Sequence, residues 1–271
     1  MGFNMNLKSK AIGVFDSGLG GLTAVKRIAE IMPNEDIVYF GDTGRVPYGT
    51  RSEQTIIKYA KQDINFLTEH NIKMIIIACG TVSTVAYPHI EKDTALPLVG
   101  VVGASVKAAV KATKTKKVAI MGTNGTIASG VMQSMLEEKG IEPVGIPCPL
   151  LIPLVENNYM DKPATRLILE DYLKEVKNSD IDTVILGCTH FPLLTDVISD
   201  IMGPEVTLIN SGAETAQMAY EILKRDNLLN DKGGQHHFYV SDDIEGFAKS
   251  GSLFLGNDIK GEVEKIDIEK Y

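Results

Sequence analysis

The sequence predicts an α/β fold: two pseudo-symmetric domains, each a mainly parallel sheet flanked by helices. Three observations lead there. Short β-rich apolar runs alternate along the chain with amphipathic stretches of helical length, the grammar of βαβ units. Runs such as Ile75-Ile76-Ile77 are apolar at consecutive positions, as suits a strand covered on both faces. Two segments also recur. Met74–Ser83 (MIIIACGTVS) echoes Thr183–Phe191 (TVILGCTHF), with Cys79 and Cys188 109 residues apart. Ile12–Gly21 (IGVFDSGLGG) echoes Val118–Ile127 (VAIMGTNGTI), with Asp16 and Gly122 106 apart.

In chain order, strands are predicted at Ala11–Phe15, Ile37–Phe40, Lys73–Ala78, Lys117–Met121, Thr183–Leu186 and Val206–Ile209. Apolar positions at helical spacing predict helices over Leu22–Ile31, Glu53–Glu69, Ala128–Lys139, Thr165–Lys177 and Ala213–Lys224. Pro97 to Gly103 reads as the link between units. The first domain is expected to comprise residues 1–100 plus 210–271, a return of the chain that periodicity alone does not show, and carries Asp16 and Cys79. The second spans 101–209 and carries Glu156, Cys188 and His190.

Composition removes several classes of function. The chain has 271 residues, 44% hydrophobic and 23% charged, with a net charge of −8 and no Lys/Arg stripe, so nucleic acid is not an expected partner. No stretch reaches the ~20 apolar residues of a membrane span, and Met1 to Lys10 lacks the apolar core of a signal peptide. Three widely spaced cysteines form no disulfide framework, which points to a reducing cytoplasm.

Cys79 follows a buried strand and precedes Gly80-Thr81, at a strand's carboxyl end where α/β proteins bind ligands. Helix-end amides there are expected to lower its pKa. A buried structural cysteine is the other reading. Cys188 occupies the matching place and adds His190 two residues on, within reach for proton exchange, or else a histidine that caps a backbone carbonyl. Two equivalent cysteines in equivalent loops favour chemistry over coincidence.

Asp16 opens a glycine-rich loop, Asp16-Ser17-Gly18-Leu19-Gly20-Gly21, and Asp42 follows the second strand. A dinucleotide loop is disfavoured, because Thr23 stands where the third glycine belongs and Asp16 would repel a pyrophosphate. An acid/base or ammonium-binding role suits Asp16 better; a helix N-cap is the alternative. Pro47-Tyr48-Gly49 is a turn signal, Cys148 between prolines looks structural, and Glu156 is either a site carboxylate or a solvated helix residue. The pair His236-His237 reads as surface beside a strand-like Phe238–Val240. Cys188-x-His190 lacks the spacing of a zinc site, so no metal is expected.

Taken together, Phe15–Gly21 (FDSGLGG), Tyr39–Gly49 (YFGDTGRVPYG), Ala78–Ser83 (ACGTVS), Pro147–Glu156 (PCPLLIPLVE), Leu186–Pro192 (LGCTHFP) and Phe238–Asp242 (FYVSD) resemble the glutamate racemase family of the aspartate/glutamate racemase superfamily. The order and spacing of these motifs span nearly the whole chain. The resemblance implies a cofactor-independent isomerase that interconverts L- and D-glutamate, with the cysteines matching Cys79 and Cys188 as the acid/base pair. It implies that Asp16, Glu156 and His190 assist proton movement. Asp16, Ser17, Tyr48, Gly49, Thr81, Thr189 and His190 would surround the amino acid, with Pro47, Gly80 and Thr123 placed beside them. The family pattern has Asn where this chain has Gly80, so only a backbone N–H is left to meet substrate there. The resemblance further implies supply of D-glutamate for peptidoglycan and is compatible with a homodimer. Aspartate racemase, a small-anion-binding protein without turnover, and a pyridoxal-dependent racemase are the competing readings.

Overall fold

The computed structural model describes residues 7–256, 258–259 and 263–271; the first six residues of the polar opening lie outside them. Ten strands appear among the described residues: β1 (Ala11–Asp16), β2 (Ile37–Gly41), β3 (Ile72–Ile77), β4 (Leu98–Gly100), β5 (Lys117–Gly122), β6 (Glu142–Pro147), β7 (Thr183–Leu186), β8 (Thr207–Asn210), β9 (His236–Val240) and β10 (Val263–Lys265). They form two sheets, ordered β10-β9-β2-β1-β3-β4 and β6-β5-β7-β8. Every pairing is parallel. The order β2-β1-β3-β4 in one sheet is repeated by β6-β5-β7-β8 in the other. The fold class is therefore α/β with parallel sheets flanked by helices.

Local sequence explains the elements. β1, β2 and β3 are buried along their whole length, which is why they carry no polar alternation. Helix Leu22–Ile31 turns Leu22, Val25 and Ile28 inward, each fully buried and worth about 1.5–3 kcal/mol. Helix Glu53–Glu69 starts at Ser52, whose Oγ accepts from the Thr55 N–H at 3.4 Å. Helix Ser211–Arg225 starts likewise at Asn210 and packs on both Leu22–Ile31 and Val101–Ala112. It bridges the two sheets, and the largest apolar cluster runs through residues of both.

Sequence and structure differ at three places. The stretch Pro97–Gly103 contains β4, in the first sheet, and the start of helix Val101–Ala112, secondary structure that the sequence reading did not anticipate there. The helix predicted over Ala128–Lys139 is shorter, Val131–Glu137, and starts at Gly130, which takes φ +67°; Ala128 instead closes a separate short helix, Asn124–Ala128. β6 escaped notice because it is a largely exposed edge strand containing Pro143 and Pro147, residues that only an edge tolerates. Among the described residues no helix is long and apolar enough to cross a membrane.

Candidate active site

β1 ends at Asp16, β3 runs into Cys79, β5 into Thr123 and β7 into Cys188, so four neighbouring strand ends deliver the candidate residues. Between them lies a cavity of about 370 Å³, a size suited to a small ligand. Ser17, Pro47, Tyr48, Gly49, Cys79, Gly80, Thr81, Thr123, Glu156, Cys188, Thr189 and His190 all line it. Asp16 alone of the candidates does not; it is buried behind the wall.

Cys79 caps the short helix Gly80–Val85 with extended backbone, and its Sγ donates to Ser17 Oγ at 3.6 Å. The expected lowering of its pKa is overturned. Burial, reinforced by the charge of Asp16, pushes the thiol up to about 12, against the opposing pull of the Val82 N–H and Ser17. Asp16 is itself raised by burial, although the positive field of His190 and backbone N–H groups oppose the rise. Its Oδ2 accepts from the Gly18 N–H at 3.0 Å, while Oδ1 is buried without a protein partner. The N-cap alternative for Asp16 is not what the structure holds: helix Leu22–Ile31 begins after Gly21 with no side-chain cap.

On the other wall, Cys188 Sγ lies 3.8 Å from His190 Nδ1, and His190 Nε2 donates to Glu156 Oε1 at 3.0 Å. Burial works against a charged His190. The hydrogen bonds to Cys188 and Glu156 outweigh it and push His190 up to about 10. The site thus offers an imidazolium beside one sulfur and a carboxylate beside the other. Glu156, at the end of helix Leu151–Glu156, is exposed, but its carboxylate accepts from His190 and is not simply solvated. Cys148 is fully buried with its Sγ toward the Ile146 carbonyl, consistent with a packing role.

The rest of the wall is shaped by contacts that motif reasoning did not reach. Thr23, noted above only for not being glycine, donates its hydroxyl to the Thr189 carbonyl at 3.0 Å, tying the first loop to the second. Gly20 is obligatory at this junction, since a Cβ there would sit 2.0 Å from Thr189 Oγ1. Thr81 and Thr123 hydroxyls meet at 3.1 Å. The Tyr48 hydroxyl points out of the cavity and donates to Asp42. Asp42 is thereby occupied inside the protein, which removes the ribose contact a dinucleotide would need. Val46, Asn124, Thr126, Pro149, Ile152 and Pro153 also line the cavity and were not anticipated; loop and helix-start residues carry no periodic signal. His236 and His237 open β9, away from this cavity. Among the described residues no cluster of three or more His, Cys, Asp or Glu is arranged to hold a metal ion.

The profile of the Asp/Glu/hydantoin racemases matches residues 12–219. A glutamate racemase of Geobacter metallireducens is 40% identical over 264 residues, covering 96% of this chain and 97% of its own. The crystal structure of glutamate racemase isoform RacE1 from Bacillus anthracis superposes with a TM-score of 0.91 at 34% identity, over 96% of this chain and 98% of that one. Glutamate racemase from Francisella tularensis, solved in complex with D-glutamate, gives 0.90 at 35% identity, over 97% and 100%.

Proposed function

The chain belongs to the glutamate racemases of the Asp/Glu/hydantoin racemase family, and from that membership we propose a two-base proton transfer in which Cys79 and Cys188 face opposite sides of the glutamate α-carbon. One observation carries the proposal: two cysteines from the ends of equivalent strands line a single cavity, one of them paired with His190.

Inversion needs a base on one face and an acid on the other. Burial keeps Cys79 a thiol, and the His190 imidazole lies 3.8 Å from the Cys188 sulfur, placed to exchange a proton with it. By resemblance, Cys188 is the base that serves the L-enantiomer. Cys188 removes the α-proton, the electron pair is held at the α-carbon and carboxylate, and Cys79 delivers its proton to the other face. Afterwards Cys188 is the thiol and Cys79 the thiolate, the state that serves the D-enantiomer. Hydroxyls of Ser17, Thr81 and Thr189 and the Gly80 N–H are the donors available to the substrate carboxylate. Asp16 lies close enough to Cys79 to act on its charge, and Glu156 holds His190 in position.

The substrate pair is L- and D-glutamate, the product feeds peptidoglycan synthesis, and the setting is the cytoplasm, with a homodimer as the proposed assembly. Polarimetry on L-glutamate without added cofactor tests the activity, and L-aspartate in parallel tests the nearest rival. Cys79→Ser and Cys188→Ser are each expected to slow racemisation by roughly 10² to 10⁴. Full activity in either variant would sink the two-thiol mechanism.

A further inference from the structure

Beneath the Pro47–Gly49 wall lies a second polar cluster that the chemistry above does not use. Asp42, at the end of the β2 run, and Asp63, in helix Glu53–Glu69, are both fully buried. A single cation, Arg45, serves both. Its Nε donates to Asp42 Oδ2 at 2.6 Å, Nη2 to Asp63 Oδ1 at 3.3 Å, and Nη1 to Gln62 Oε1 at 2.6 Å. The same Nη1 reaches Glu269 Oε1 at 3.2 Å, in the last turn of the chain (Ile268–Lys270), and the guanidinium lies 4.0 Å over the Tyr59 ring. Ser241, just after β9, donates to Asp42 Oδ1 at 2.7 Å.

Tyr48 couples this cluster to the cavity. Its hydroxyl donates to Asp42 and lies 3.3 Å from Asp63 Oδ2, while its backbone forms the wall with Pro47 and Gly49. Arg45 itself does not line the cavity. We infer that Arg45, steadied by Glu269 of the C-terminal turn, is a positioning residue that sets the Pro47–Gly49 wall for substrate binding. The physical reason is geometric. Acceptors on several sides must be met at once by one planar fork, which an ammonium cannot reproduce. Two carboxylates buried together also repel: burial, followed by the charge of Asp42, drives Asp63 well above the ordinary carboxylate range. With the fork removed, Asp42 and Asp63 lose the donors that hold their oxygens in place, and the tyrosine that anchors the wall loses its fixed acceptor.

The inference rests on the racemase reading, so wild-type activity on glutamate is measured first; its absence would fault that reading and not this one. Arg45→Lys is expected to raise KM for both enantiomers about tenfold while kcat stays within about twofold, the signature of lost binding and not lost chemistry. Glu269→Lys, a charge reversal on an exposed turn that leaves the buried cluster's packing in place, is expected to raise KM about threefold by repelling Arg45. It decides the matter if Arg45→Lys fails to fold. Wild-type KM in a folded Arg45→Lys or in Glu269→Lys overturns the inference, as does a loss confined to kcat or to thermal stability.

Discussion

The contact between the two cysteine loops is made by glycine against glycine. Gly80 follows Cys79 and Gly187 precedes Cys188, and a Cβ on Gly80 would lie 2.4 Å from the Gly187 carbonyl oxygen. Cβ atoms essentially never approach closer than 3.0 Å and ordinary contact begins at 3.4 Å, so Gly80→Ala must drive the loops apart by about 0.6 to 1 Å. Gly187 has little room to yield, because its N–H is held by the Met121 carbonyl at 2.8 Å. The displacement therefore enters the spacing of the two sulfurs. A misplacement of ~1 Å costs on the order of 10² in rate, and overpacking costs roughly 1–3 kcal/mol of stability. The assay is kcat in both directions, followed by polarimetry, with the thermal midpoint measured alongside. Gly80→Ala is expected to lose about 10- to 100-fold in kcat each way. Gly80→Asn, although it restores the family's residue, is expected to fall in the same direction, since backbone spacing is at issue. Wild-type kcat in a folded Gly80→Ala would refute the reasoning.

Other perturbations have equally definite outcomes. Thr23→Val removes the hydroxyl that the Thr189 carbonyl accepts from and should cost about 1–3 kcal/mol in urea denaturation, with Thr23→Ser close to wild type. Glu156→Gln weakens the hydrogen bond that holds His190 charged; kcat should fall about tenfold or more, with its alkaline limb shifted to lower pH. His190 is raised from 6.5 to about 10 by folding. Its contribution to stability is therefore complete below about pH 6.5 and is lost as pH rises through about 10. Denaturation midpoints measured across that window should decline in wild type and decline less steeply in Glu156→Gln. A flat wild-type profile would contradict the assigned shift.

Much of the fold was legible where periodicity is strong. Helices Leu22–Ile31 and Glu53–Glu69 end where the pattern ends, and β7 matches its run exactly as read, because buried strands and amphipathic helices write their burial into the sequence. The hidden elements share a different cause. β4 has three residues and β6 is an exposed edge; helix Gly80–Val85 was expected only as a helix start, because it begins with glycine and carries β-branched Thr81, Val82, Thr84 and Val85. Tertiary contact, not propensity, makes these. At the site, the paired cysteines and His190 were legible because their chemistry is rare, whereas Glu156 came only with the resemblance. Thr23, Arg45 and Gly187 were not legible: each acts through contacts with residues distant in the chain that no local pattern encodes.

The most direct measurement is the isotope carried by product at low conversion in deuterium oxide, starting from protiated L-glutamate. In the proposed mechanism separate thiols deliver and remove the hydrogen, so the D-glutamate should carry solvent deuterium at Cα from the first turnovers, while unreacted L-glutamate stays largely protiated. D-Glutamate that keeps the hydrogen of its precursor would mean one group serves both faces, and the pairing of Cys79 with Cys188 would fall.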